Sequence, residues 1–118
     1  MKYMLLIYTA ENAMDEAERE HCRHESAQLC QDLAKSGHYL NAAPLHPVTT
    51  ATSVRVREGK PIVTDGPFAE TREQLGGFYL IDARDLDEAI RIATRIPPAR
   101  VGTVEIRPVM EIPGLPAS

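Results

Sequence analysis

The apolar positions of this chain form short runs and stripes that switch between the period of a strand and that of a helix. Continuous apolar runs occupy residues 1–8 and 77–83, and each is too short for a typical helix. Such runs are typical of strands near the centre of a sheet with both faces covered. Residues 51–57 and 103–109 alternate between apolar and polar side chains, which predicts half-exposed strands. Pro108 places the last of these near a sheet edge.

A first helix is predicted between the first two strands. Asp15 and Glu18 form an acidic variant of the capping box, and Gly37 lies where a left-handed residue ends a helix. The positions between them recur at helical spacing and predict an inward-facing stripe. That stripe comprises Cys22, Ser26, Leu29, Cys30 and Leu33.

A second helix is predicted after the apolar run at 77–83. Asp85 and Glu88 repeat the capping pattern, and the pair Pro97-Pro98 stops the helix. Its buried stripe is predicted to be Leu86, Ala89, Ile90 and Ala93.

The middle of the chain predicts a hairpin. The pair Glu58-Gly59 makes a tight turn between residues 51–57 and 61–64, while residues 39–50 are interpreted as a connection. The order is strand, helix, strand pair, strand, helix, strand. It predicts an α+β fold of ferredoxin-like type: an antiparallel sheet with both helices on one face and an added hairpin strand. Because that arrangement leaves one sheet face uncovered, we expect a homodimer.

Length and charge limit the classes of protein. With 118 residues the chain is long enough for one domain, predicted at 1–112 and followed by a loose tail at 113–118. The net charge is −4 and basic residues are interleaved with acidic ones, so nucleic acid is a disfavoured partner. No apolar run is long enough to span a membrane. The chain begins without a recognisable export signal, and its thiols are predicted to be reduced. We therefore expect a cytoplasmic protein.

The histidine and cysteine positions near residue 22 have some of the features of a metal site. His21 and His24 lie one helical turn apart, but the helical wheel turns His24 away from Cys22 and no second ligand cluster follows. Cys22 and Cys30 are about 12 Å apart along one helix, too far for a disulfide. We expect core cysteines, solvated histidines paired with glutamates, and neither a metal nor another cofactor.

The stretch at residues 64–82 has the densest polar chemistry. Gly66-Pro67 sets a sharp bend, and the preceding Asp65 is expected to accept backbone N–H groups there. Charged and amide side chains then crowd a short connection between two strands, which is a normal place for a site. The candidate pocket residues are Asp65, Glu70, Arg72, His46 and Tyr79.

The same stretch, together with residues 1–8 and 51–57, resembles the YCII-related family. The motif Asp65, Gly66, Pro67 and Phe68 resembles the DGPF branch of that family. The resemblance implies a ferredoxin-like fold of the dimeric α/β-barrel type. Some relatives carry a histidine and an aspartate proposed as an acid–base pair, and these positions fall on Ser26 and Ile96 here. Isoleucine cannot transfer a proton, so the pair is not carried over unless His24 replaces Ser26 through a shift in helix register.

Two functional hypotheses follow. The first, slightly favoured by the missing acid–base pair, is a non-catalytic dimeric module with a regulatory or interaction role. The second is a small-molecule binder or an enzyme with lyase-like or isomerase-like chemistry near the polar loop. In that case Arg72 would hold a small anionic ligand while a carboxylate or imidazole moves a proton.

Overall fold

A computed structural model describes residues 1–116. The strands are β1 (Lys2–Thr9), β2 (Tyr39–Pro44), β3 (Thr52–Arg57), β4 (Lys60–Asp65), β5 (Gln74–Asp82) and β6 (Thr103–Pro108). The helices are α1 (Glu16–Lys35) and α2 (Leu86–Ala93), with short 3-10 turns at Val48–Thr50 and Pro97–Arg100.

The main sheet has four antiparallel strands in the order β2-β5-β1-β6. Tyr3, Leu5 and Ile7 alternate with less buried neighbours along β1, and they join residues of both helices in one core. Both helices therefore cover the same face of the sheet. This arrangement is consistent with a ferredoxin-like fold, and the predicted α+β class is confirmed.

Local capping explains where α1 begins and ends. The Asp15 carboxylate accepts the Glu18 N–H at 2.8 Å, and the Glu18 carboxylate accepts the Asp15 N–H at 3.2 Å. Gly37 has a φ of +81°, the left-handed conformation that a glycine adopts without strain after a helix. The predicted capping box and the predicted helix end are both confirmed.

The buried face of α2 differs from the prediction. It comprises Ala89, Ile92 and Ala93. Leu86 and Ile90 are 50% and 43% exposed, so their placement in the buried stripe was wrong. Positions 89, 92 and 93 face the core at helical spacing, and the buried Ile96 follows just after the helix. Leu86 and Ile90 therefore lie on the exposed side of α2.

The segment predicted to be a connection supplies a strand instead. Residues Tyr39–Pro44 form β2, an edge strand that pairs with β5, so the assignment of 39–50 as a connection was wrong. Short side chains such as Ala42 and Ala43 give little alternation, and Pro44 is tolerated because it ends an edge strand. This segment is a strand because it pairs with β5, and its own pattern of apolar and polar residues does not predict one.

The hairpin stands apart from the main sheet. Within residues 1–116, strands β3 and β4 pair with each other and not with the main sheet, through a turn in which Glu58 and Gly59 both have positive φ. Val54 and Val56 are 63% and 61% exposed, so the expected half-buried face was wrong for the single chain. The projecting hairpin contributes to a radius of gyration of 16.1 Å, against about 13.5 Å for a compact domain of this length.

On the sheet face opposite the helices, the two central strands β1 and β5 carry apolar side chains, while Glu105 and Arg107 flank them on β6. Along β1 and β5, Met4 lies beside Leu80 and Leu6 beside Phe78, and all four are half-buried. Neither helix of the chain lies on this face. Beyond β6, residues 113–116 contain no helix or strand, while residues 117–118 of the predicted tail lie outside the described residues.

Candidate functional site

A cavity of about 580 Å³ lies between the first half of α1 and the sheet and opens to solvent. The end of β1, the end of β2 and the start of β5 meet there, because antiparallel pairing places Thr9 opposite Gln74 and Pro44 opposite Gly77. The strand and helix positions that line it include Ile7, Thr9, Cys22, Ser26, Ala27, Cys30, Ala42, Gln74, Gly76, Gly77 and Tyr79.

Small side chains on both walls create this space. Ser26, Ala27 and Cys30 face it from α1, while Ala42 and Gly77 face it from the sheet. Larger residues here would fill the layer between helix and sheet, as they do elsewhere in a close-packed interior. At Gly77 a Cβ atom would lie 3.0 Å from the Ala43 carbonyl oxygen, so the close approach of β2 to β5 favours glycine. The cavity is a property of the packing.

Charged residues lie at the mouth. Arg23 pairs with Glu20 at 2.9 Å and with Glu16 at 3.6 Å, and Arg19 also contacts Glu16, at 3.7 Å. The Glu11 carboxylate accepts the N–H of Val48 at 3.2 Å, which ties the β1–α1 connection to the segment after β2. Both arginines are thus paired with neighbouring glutamates, and they share Glu16.

The inner wall is electrically neutral at physiological pH. Burial raises the pKa of Tyr79 to about 12, and its hydroxyl donates to the Ser26 carbonyl oxygen at 3.5 Å. Burial also raises the pKa of the Cys22 and Cys30 thiols. A thiol is nucleophilic only as the thiolate, so both cysteines behave as small apolar residues here.

One polar group on the cavity wall is unsatisfied. Gln74 lines the cavity, and its Oε1 atom is buried without a hydrogen-bond partner among residues 1–116. Buried polar atoms are paired in the large majority of cases. The Gln74 carboxamide is therefore a polar group of this wall whose lack of a hydrogen-bond partner has to be explained.

The five candidate pocket residues do not share one location. His46 and Tyr79 line the cavity, with His46 exposed near the mouth and Tyr79 buried on the sheet. Asp65, Glu70 and Arg72 are exposed and do not line it. Their role in a pocket stays a prediction, separate from this cavity.

The bend after β4 is held by other groups than the one expected. The Gly66 N–H donates to the Ala51 carbonyl oxygen at 2.7 Å, and the Ser53 hydroxyl donates to the Gly66 carbonyl oxygen at 2.8 Å. The bend thus relies on a neighbouring backbone carbonyl and Ser53 where acceptance by the Asp65 carboxylate was expected. Phe68, in the same loop, is 79% exposed.

The histidines of α1 pair with glutamates as expected. His21 contacts Glu25 at 3.2 Å and His24 contacts Glu20 at 3.3 Å, and both histidines are exposed. Over the described part of the chain, no group of three or more His, Cys, Asp or Glu side chains could hold a metal ion.

No helix within residues 1–116 is both long and apolar enough to cross a membrane.

The residues that build the cavity were mostly missed in the sequence. Gln74 reads as part of a polar loop, yet it is the first residue of β5. Ala42 was placed in a connection. The sequence does contain small residues at Ser26 and Ala27 and again at Ala42 and Gly77. That these two pairs face each other becomes apparent only when the pairing of the strands is known.

The fold and the cavity together define a small α+β protein with a ferredoxin-like sheet and a site between its first helix and that sheet. Residues 1–113 match the YCII-related domain family. The chain is also similar to an uncharacterized protein of Rhizobium meliloti (strain 1021), with 39% identity over 114 residues that cover 92% of each chain. The chain belongs to the YCII-related domain family.

Proposed function

We propose that this chain is a homodimeric protein that binds a small, mainly apolar molecule in the cavity beneath the first half of α1. The observation that carries the proposal is the pair of facing small-residue walls around about 580 Å³. Ligand pockets of small molecules have this size and are mainly apolar with a few polar groups. Within the family we assign the chain to the DGPF branch, on the motif at 65–68.

Binding is favoured over proton-transfer catalysis. Some relatives carry a histidine and an aspartate proposed as an acid–base pair, and the corresponding positions here hold Ser26 and Ile96, whose side chain is fully buried. The Tyr79 hydroxyl, with a pKa of about 12, stays protonated at neutral pH. A general acid or base works best with a pKa near the operating pH. The site therefore suits recognition, and a regulatory role in the cytoplasm follows as part of the proposal.

The dimer is proposed from exposed apolar surface. The outer sheet face, defined as Met4, Leu6, Phe78 and Leu80, has neither of the chain's helices on it. The projecting hairpin adds Val54, Val56 and Val63, all more than half exposed. Large exposed apolar patches mark interaction surfaces in soluble proteins. Stacking the outer sheet faces of two copies, as in a dimeric α/β barrel, would bury the first of these patches.

Light scattering tests the dimer. The wild type should have twice the chain mass of 13.1 kDa, and Leu6→Asp should shift it to the chain mass, because a carboxylate is costly to bury without a partner. Leu86→Asp is the matched control, since Leu86 is 50% exposed at the start of α2. A monomeric wild type at micromolar concentration would overturn this part of the proposal.

Binding is tested by a ¹H–¹⁵N NMR screen with small aromatic and aliphatic fragments. We expect the amide signals that shift to cluster at Ser26, Ala42 and Tyr79, on the two walls of the cavity. Shifts that cluster at Asp65 and Arg72 instead would move the site to the polar loop and favour the anionic ligand. An absence of shifts at both places would favour a module without a small-molecule ligand.

A further inference from the structure

We propose that the Gln74 carboxamide is the polar anchor of this cavity, and that the ligand is an uncharged, mainly apolar molecule bearing a hydroxyl or amide group. The inference rests on the proposed function and adds the chemical class of the ligand. It starts from the unpaired Oε1 atom of Gln74 in the cavity wall.

The backbone of Gln74 is held by the sheet, and no residue within 1–116 makes a hydrogen bond to its side-chain Oε1 atom. Its backbone lies in β5, opposite Thr9 of β1, at the end of the sheet where the cavity is found. The terminal torsion of a glutamine is broad and roughly two-fold, so a rotation of about 180° exchanges the oxygen and the N–H group that face an occupant. A hydroxyl group donates and accepts, and an amide has both functions, so either would satisfy the carboxamide in either orientation.

The neutral inner wall of the cavity favours an uncharged ligand, and the Glu11 carboxylate, which also lines the cavity, accepts the Val48 N–H. Arg19 and Arg23 at the mouth are paired with glutamates, which leaves neither arginine as an uncommitted cation for an anionic ligand. Deeper in the cavity the Tyr79 hydroxyl and the Cys30 thiol are neutral. A carboxylate or an ammonium group placed there would lose its hydration without a counter-ion, which is costly.

The experiment compares phenol with toluene, which have the same ring and differ in the hydroxyl group. Dissociation constants are measured by NMR titration for the wild type and for Gln74→Met, whose side chain has similar length and no amide. The ratio of the toluene constant to the phenol constant should fall by about tenfold in Gln74→Met, the value of one net hydrogen bond. The constant for toluene itself should change by less than about twofold.

Gln28→Met is the matched control, because Gln28 is exposed on α1 and bonds to Asp32 at 3.0 Å. It should leave the ratio unchanged. If Gln74→Met does not give a dispersed NMR spectrum, Gln74→Leu is measured in its place. Benzoate and benzylamine, as charged probes, should bind more weakly than phenol.

Three results would overturn the inference. An unchanged ratio in Gln74→Met would show that the carboxamide does not anchor the ligand, and tighter binding of benzoate than of phenol would show that the site takes anions. In both cases, toluene shifts at Ser26 and Ala42 would leave the proposed function standing. If neither toluene nor phenol binds in the cavity, the inference and the proposed function fail together.

Discussion

The two halves of α1 face the same sheet and do different things. In the second half, Leu29 and Leu33 are buried and belong to the continuous core. In the first half, Cys22 is buried outside that core, and Ser26 and Ala27 border open space. We call residues 16–27 the open half and residues 28–35 the closed half, with Cys30 near their border still lining the cavity. One helix thus combines a segment that packs in the core with a segment that borders a cavity, and side-chain volume distinguishes the two.

The difference teaches that a cavity in this fold requires no special loop or lid. The caps at Asp15 and Gly37 fix the whole helix, and the large residues of the closed half hold it on the sheet. The small residues of the open half then stay apart from the sheet, and the space between helix and sheet remains open. A binding site is preorganised in this way by core packing a few residues away.

The largest expected effect is on the closed half. Leu33 is fully buried, so Leu33→Ala should lower the free energy of unfolding by about 2–5 kcal/mol, through lost burial and a new void. Cys22→Ala in the open half should cost only about 1 kcal/mol, because its thiol already borders the cavity. Urea unfolding at equal chain concentration measures both. Equal losses in the two variants would contradict the division of α1.

A second test uses the buried hydroxyl between the halves. The pKa of Tyr79 is about 12 in the folded chain, above the ordinary value of 10.0, so the folded state retains this proton longer than the unfolded state. Its contribution to stability is complete below pH 10 and is lost as pH rises toward 12, by about 3 kcal/mol.

Tyr79→Phe removes this titration. The free energy of unfolding of the wild type should therefore fall relative to Tyr79→Phe between pH 10 and 12, as measured by urea titration at each pH. Tyr8→Phe is the control, because it removes a hydroxyl that bonds to Glu105 at 3.4 Å outside the core. Tyr3→Phe is not suitable, because Tyr3 itself lies in the core. Parallel pH profiles for wild type and Tyr79→Phe would show that the hydroxyl is hydrated.

The smallest effect concerns the tie between the end of α1 and the start of α2. Glu88 accepts the Arg84 N–H at 2.9 Å and contacts His38 at 3.1 Å, and His38 also bonds to Ser36 at 2.7 Å. The hydrogen bond from the Arg84 N–H is the main cause that holds the pKa of Glu88 below its usual value of 4.5, and the hydrogen bond with His38 lowers this pKa further.

Because the folded pKa is the lower one, this contribution to stability is present above pH 4.5 and is lost as pH falls through the folded value. Glu88→Gln should lower the melting temperature at pH 7 and have less effect at pH 3. Asp87→Gln, a change in the same first turn of α2, serves as the comparison. A difference from wild type that grows toward low pH would reverse the sign and refute the role of the carboxylate.

Locally encoded features of the fold were predictable from the sequence. The capping box of Asp15 and Glu18, the left-handed Gly37 and the Glu58-Gly59 turn each depend on a few neighbouring residues. Strand β2 was missed because Tyr39–Pro44 becomes a strand only through its pairing with β5. The buried row of α2 was misassigned because the choice between Ile90 and Ile92 is made by the sheet.

The site was harder to predict than the fold. Tyr79 and His46 were chosen for their chemistry and do line the cavity, but the space itself comes from side chains that are small. Ser26 and Ala42 are distant in sequence, and nothing in either local pattern shows that they face each other. The polar residues of the loop at 64–73 were predicted to form a site because polar side chains are easily recognised in a sequence. A cavity left by small side chains is not.

Filling the cavity tests the central claim most directly. Ala42→Leu adds volume beside Tyr79, while Ala34→Leu makes the same change at an exposed position in the closed half of α1. With toluene as the probe in an NMR titration, Ala42→Leu should weaken binding roughly tenfold or more, because the added side chain occupies the site. Ala34→Leu should bind as the wild type does. Equal toluene binding by both variants, with both still folded, would contradict a ligand site between α1 and the sheet.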